Sequence, residues 1–281
     1  MMDRQQLAEF LRSRRHALQP EDVGLSRGRR RRTAGLRREE VAALSDMSAD
    51  YYGRLEQQRG PRPSAAMLAA LARGLRLSLA ERDYLFRLAG YAAPSRSPGV
   101  ADHIGPGLMR VFDRLSDTPA EIVTALGETL AQTPAAVALV GDHTHYAGPD
   151  RSIVYRWFVH PDCRTRYPID DHDMLSRFFT AGLRAAYADS ATRTRAAAIV
   201  STLSASSSEF TRLWNRHDVD VPHEHAKRLV HPELGLLEVQ CQVLIDPDQK
   251  HSLLVYTATP GTESHTNLQL LRVIGDQTLR K

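Results

Sequence analysis

The sequence predicts a multidomain protein, an all-α domain of five helices followed by an α+β domain with an antiparallel sheet. Three observations predict it. Helix-spaced apolar residues with capping signals run through residues 3–88. Residues 90–99, rich in Pro, Gly, Ser and Ala, then carry no apolar periodicity and read as a linker. Farther on, Leu237, Val239, Cys241, Val243 and Ile245 alternate with Glu238, Gln240, Gln242 and Leu244, the pattern of a half-buried strand. The boundaries that follow are 1–92 for the first domain, 93–101 for the linker and 102–275 for the second domain.

The helices of the first domain can be taken in order. Asp3 is an N-cap with Gln6 three residues on, and Leu7, Phe10, Leu11 and Leu18 form the buried stripe of the first helix. Pro20, Gly24, Gly28 and Gly35 make 19–36 a long loop. Short helices follow at 37–44 and 48–57. Ser64 caps a fourth, with Met67, Leu68, Leu71, Ala72 and Leu75 inward. Ser78 and Glu81 form a capping box for a fifth, with Tyr84, Leu85 and Leu88. In the second domain, helices are expected at 102–115, 133–141, 151–159, 171–187, 192–204 and 207–216. A short strand is expected at 121–124. A three-strand antiparallel meander follows at 226–231, 237–245 and 253–259, with turns at 232–235 and 246–250.

Charge separates the two parts. The chain of 281 residues carries +4, but residues 1–93 hold +7 and the remainder −3, and the basic excess is carried by Arg. Arg makes bidentate contacts to phosphate and guanine edges, so the split suggests a nucleic-acid module joined to something else. No apolar run approaches the ~20 residues needed to span a bilayer. The N-terminal residues form no signal-peptide pattern. Cys163 and Cys241 make no metal or redox spacing and are expected to be reduced thiols in a cytoplasmic protein.

Residues 38–59 carry the chemistry. Two short helices are joined by a tight turn, the sequence form of a helix-turn-helix that enters the major groove of DNA. Ala42 is small where the two helices press together, and Val41 and Leu44 face the core. Asp46 stands where the turn needs a left-handed backbone, and Ser48 caps the second helix. Tyr52 and Leu55 anchor that helix, which leaves Ala49, Asp50, Tyr51 and Arg54 to reach base edges. Arg54 is the candidate for guanine. Asp50 either accepts from a cytosine amine or orients Arg54 one turn away. Tyr51 can meet a thymine methyl or a phosphate. Arg37, Arg38, Ser48, Gln57, Gln58 and Arg59 are placed for contacts around the helix. The tract Arg29, Arg30, Arg31, Arg32 either follows phosphates or enters a minor groove, or it is a solvated loop adding nonspecific attraction.

Residues 3–92 resemble an XRE-type helix-turn-helix domain. The segments 20–25, 30–43, 50–57 and 59–64 are similar to those of the MmyB-like transcriptional regulators of actinobacterial type. Further segments at 115–120, 158–161, 209–219, 227–235 and 255–261 resemble the MmyB-like ligand-binding domain. The resemblance implies a PAS-like fold and a sensor of a small, largely apolar molecule, with a fatty acid as family precedent. It also marks departures. The family commonly has Gly where Asp46 and Gln58 stand, and a Trp-Asn pair where Gln132 and Thr133 stand. Losing a large ring there would enlarge or reshape a pocket.

For that pocket the aromatic residues Tyr155, Trp157, Phe158, Phe178 and Trp214 are the candidates, although at helical spacing such residues also serve as core. The pairs His143/His145 and His223/His225 lack partners in a known metal spacing, so no metal and no cofactor are expected. No nucleophile elbow, Walker loop or dinucleotide fingerprint is present, so no catalytic residue is expected. The expected protein is a sequence-specific DNA-binding transcriptional regulator, not an enzyme. Its expected partners are double-stranded DNA, a small apolar ligand and a second copy of itself. The alternative is a DNA-binding regulator whose C-terminal domain only dimerises and takes no effector.

Overall fold

Short helices with explicit start and stop signals build the first part of the molecule: α1 (Arg4–Ala17), α2 (Arg38–Leu44), α3 (Ala49–Glu56), α4 (Ala65–Gly74), α5 (Leu79–Leu88) and α6 (Pro106–Asp113). The structure, a computed structural model, describes residues 2–25, 33, 35–94, 102–219, 226–247 and 249–278, and over 272–278 the helical backbone alone. The side chains of Asp3, Ser48, Ser64 and Ser78 each accept from the backbone N–H three residues on, satisfying one free amide at the starts of α1, α3, α4 and α5.

Helices α2 to α5 end alike. The N–H groups of Met47, Arg59, Leu77 and Tyr91 return to the carbonyls of Ala42, Arg54, Ala72 and Phe86. The residue before each returning N–H is left-handed: Asp46 at φ 52°, Gln58 at 63°, Arg76 at 50° and Gly90 at 78°. These are Schellman closures. Both positions at which the resemblance leads one to expect glycine therefore adopt the backbone that favours glycine, with Asp46 and Gln58 in its place.

The core of this unit joins Leu7 and Leu11 of α1, Val41 and Ala42 of α2, Tyr52 and Leu55 of α3, and Leu68, Leu71 and Leu85 beyond. Tyr84 does not face that core as its spacing suggested; it is 40% exposed, edge-on to Phe10, and Phe86 is buried instead. Helix α6 joins the same unit through a two-pronged pair between Arg76 and Asp113, at 2.8 and 3.1 Å. Contacts divide the chain into Met1–Arg96 with His103–Arg114, and Ser97–Asp102 with Leu115–Lys281. Residues 103–114 are thus counted with the helical unit, whereas the sequence placed the start of the second domain at 102.

The second unit is an α+β domain. Its strands are β1 (Ala120–Val123), β2 (Thr129–Gln132), β3 (Ala226–His231), β4 (Gly235–Ile245) and β5 (Ser252–Thr257). They form one antiparallel sheet in the order β2-β1-β5-β4-β3, which fits the PAS-like expectation. The meander β3-β4-β5 is as the alternation predicted, except that Ile245 is 68% exposed at the strand end. One face of the sheet packs Leu229, Leu237, Val239, Cys241 and Tyr256 against Leu139 and Val140 of α7 (Pro134–Val140) and Leu268 and Leu271 of α12 (Glu263–Thr278). A second cluster joins α8 (Ile153–Val159), α9 (His172–Ala188), α10 (Arg193–Ser206) and α11 (Ser208–Trp214) through Val154, Leu183, Ile199 and Phe210. Strand β2 and helix α12 were not expected.

Candidate nucleic-acid interface and ligand cavity

Helix α3 is held from beneath by charge. Glu56, in its last turn, is fully buried and takes Arg15 of α1 in two contacts, 2.7 and 3.2 Å, and Arg38 of α2 at 2.7 Å. A further N–H of Arg15 reaches the Leu36 carbonyl at 3.0 Å. Burial pushes the Glu56 carboxyl up, and the hydrogen bonds from Arg15 and Arg38 outweigh it, so its pKa is lowered. Three helices are thereby locked around one carboxylate. Arg38 belongs to this scaffold, with half of its side chain still exposed.

Above the scaffold, Ser48, Ala49, Asp50, Arg54, Gln57, Gln58 and Arg59 are exposed, and Tyr51 is half-buried. These are the residues of α3 and its flanks that the sequence assigned to DNA. Arg54 pairs with Asp50 across one helical turn at 3.2 Å, and its guanidinium lies 6.0 Å from the Tyr51 ring. Asp50 thus holds Arg54, one of the two roles the sequence left open. Arg37, at the start of α2, pairs with Glu39 at 3.2 Å, and its backbone N–H donates to Glu40. The tract Arg29–Arg32 lies outside the described residues, as do His223 and His225.

Sequence reasoning missed the residues that position this surface. Arg4 donates to the Gly60 carbonyl at 2.6 Å, fixing the segment after α3. Arg62 donates to the Ala89 carbonyl at 2.7 Å and stacks 3.5 Å from the Tyr91 ring. Arg15 and Glu56 are 41 residues apart in the chain, and no local pattern announces their pairing.

In the second unit, a cavity of about 370 Å³ lies between the sheet and helices α8 and α9. Val123, Val243 and Leu254 form its sheet wall, and Ile153, Val154 and Phe179 its helical wall. Apolar surface predominates, and polar side chains, among them Glu121, His143, Tyr167, Lys227 and Tyr256, also line it. Glu121 of β1 is 6% exposed and accepts from the Tyr256 hydroxyl at 2.7 Å. Burial raises the pKa of both groups. His143, also on the wall, is lowered to about 4 by burial and by the charges of Arg156 and Arg166.

Of the five aromatics assigned to a pocket, only Phe178 lines this cavity. The correction has a geometric cause. Trp157 and Phe158 follow Ile153 and Val154 by one helical turn, on the same side of α8 but farther along its axis, and fall beyond the cavity lining. Trp157 is 1% exposed and donates to Ser176 at 2.8 Å, and with Phe158 it borders another, more open pocket that shares Tyr167 with the cavity. Tyr155 and Trp214 pack in the helical cluster, Trp214 stacked on Phe210 at 5.6 Å. Gln132 and Thr133 have structural duties. Gln132 accepts from the His143 N–H at 2.7 Å and donates to the Gly141 carbonyl at 3.1 Å, and Thr133 caps α7. The signal that would have found the cavity is Glu121, an acid set between two buried apolar residues of a strand.

Among the described residues no cluster of three or more His, Cys, Asp or Glu is placed to hold a metal, and no helix is long and apolar enough to cross a membrane. Two family models match the chain. One, described as a helix-turn-helix domain, covers residues 6–85; the other, described as the MmyB-like transcription regulator ligand binding domain, covers 104–271. Comparison with the curated proteins found no match.

Proposed function

The chain belongs to the MmyB-like transcription regulators, with a DNA-binding helix-turn-helix domain and a ligand-binding domain, and on that premise we propose what each domain recognises. The exposed face of α3 reads the major groove, with Arg54 on guanine, Tyr51 on a thymine methyl or a phosphate, and Asp50 setting the Arg54 rotamer. Arg37, Arg59 and the tract Arg29–Arg32 supply phosphate contacts, hence affinity more than specificity. The cavity between the sheet and α8–α9 takes a small, largely apolar, fatty-acid-like molecule. The observation that carries this second assignment is the cavity itself: about 370 Å³, with mainly apolar surface supplied by Val, Ile, Leu and Phe, in the unit that matches a ligand-binding domain.

The protein acts in the cytoplasm as a homodimer, because one short recognition helix reads too few base pairs and paired half-sites are the common solution. It regulates by binding and performs no chemistry. Arg54→Ala tests the DNA assignment. Binding to a site selected from random duplexes should weaken by about 1–3 kcal/mol, with binding to random DNA little changed. Equal losses on both would remove Arg54 from base contact.

A further inference from the structure

A second chamber adjoins the apolar one. It measures about 320 Å³, and Tyr167, Phe178 and Lys227 line both. Its own walls are mixed: Asp171, Arg228, Glu238 and Gln240 stand beside Met174, Leu175 and Val239, and Thr259 and Thr262 complete the lining. Glu238, Gln240, Thr259 and Thr262 are exposed, so this chamber is open to water at its rim. A molecule spanning the two would lay an apolar chain along Val123, Val243 and Leu254 and leave a polar end at the junction.

Charge decides which polar end fits. In the open chamber the Arg228 guanidinium is already engaged by Asp171 through two contacts, one at 3.0 Å. In the apolar chamber the buried group is itself an acid, Glu121, held by Tyr256 at 2.7 Å. A ligand carboxylate pushed inside would find the Tyr256 hydroxyl and the Gln132 amide already given to Glu121, and would lose its water with no donor to replace it. Placed at the junction, it meets the half-buried Lys227 and the water of the open chamber. Lys227 then stands between the two acids, and its flexible stem lets the ammonium reach the ligand.

We propose that Lys227 anchors the head group of a single-chain carboxylate, with the tail in the apolar chamber and Tyr167 and Phe178 framing the passage. This rests on the reading of the cavity as a ligand site. Glu121 sets the orientation, because it takes the hydrogen-bond donors at the inner end.

The test uses the full chain and three probes with the same alkyl tail: dodecanoate, dodecanol and dodecyltrimethylammonium, each below its micellar concentration. Retention is read by native mass spectrometry, and affinity by the ligand-dependent rise in melting temperature. The wild type should prefer dodecanoate. Lys227→Met, which keeps the length of the stem, should weaken dodecanoate about tenfold or more, as expected for a lost hydrogen bond to a charged group, and leave dodecanol unchanged. Lys227→Arg should restore dodecanoate binding. Dodecanoate binding that is equal in the wild type and Lys227→Met overturns the anchor while leaving the ligand site standing. So does a wild-type preference for either of the other two heads. Failure of all three to bind overturns the ligand site and the anchor together.

Discussion

Glu56 carries more of the DNA-binding unit than any residue that faces DNA. It lies under α3 with no exposed side-chain surface, between Arg15 and Arg38, so removing its charge leaves a buried guanidinium without its partner. Breaking a buried pair in this way costs about 3–5 kcal/mol, and Glu56→Gln should lower the stability of the helical unit by that order in urea unfolding. The pH dependence has a defined sign. Because the folded pKa of Glu56 is lowered, its contribution is complete above the unfolded value of about 4.3 and is lost as pH falls through the folded value. The unit should therefore weaken in acid, and Glu56→Gln should shallow that slope; identical slopes in the two proteins would mean the triad does not bear on stability. None of this was legible locally. The exposed face of α3 was, because Ser48, Asp46 and Tyr52 sit in register and fix which side of a short helix is left over.

At the scale of elements, helix ends and close approaches set the helix-turn-helix geometry. Ala42 was expected to be the small residue that lets α2 approach its neighbour. It is buried as expected, but a tighter contact falls at Gly74 of α4, where a Cβ would stand 2.3 Å from the Ser45 hydroxyl and 3.0 Å from the Leu44 carbonyl. Gly53, inside α3, would place a Cβ with nothing within 4 Å. The same substitution should therefore have opposite signs. Gly53→Ala should stabilise through helix propensity, by about 1 kcal/mol. Gly74→Ala should destabilise, since overpacking against backbone costs about 1–3 kcal/mol and exceeds that gain. Melting temperatures that move in the same direction would contradict the packing described. The sheet meander was readable because β4 alternates, while β2 is four residues, Thr129–Gln132, without alternation, and its pairing partner β1 is equally short. The cavity was misread for a related reason. Large rings looked like pocket walls, yet Trp157, Phe210 and Trp214 pack against other rings or donate to nearby polar groups, and the lining combines aliphatic side chains with a different set of rings, Tyr167, Phe178, Phe179 and Tyr256.

For the whole molecule, the proposed function requires that one chain couple an apolar cavity to DNA reading. A ligand alters DNA affinity only if it binds one DNA-competent arrangement better than another, and the coupling is then reciprocal. The basic excess lies in residues 1–93, so the helical unit brings the attraction to DNA and the second unit brings the control. The cavity adds a pH-sensitive element. His143 is held near 4, below its unfolded value of about 6.5, so its contribution to stability is full above 6.5 and is lost as pH falls toward 4. The most direct test of the coupling is the Kd of the full chain for its selected DNA site, measured with and without saturating dodecanoate, in the wild type and in Lys227→Met. Typical coupling of about 1–3 kcal/mol predicts a shift of roughly five- to 150-fold in the wild type, much reduced in Lys227→Met at the same dodecanoate concentration. A wild-type Kd that stays the same while dodecanoate is demonstrably bound would contradict it.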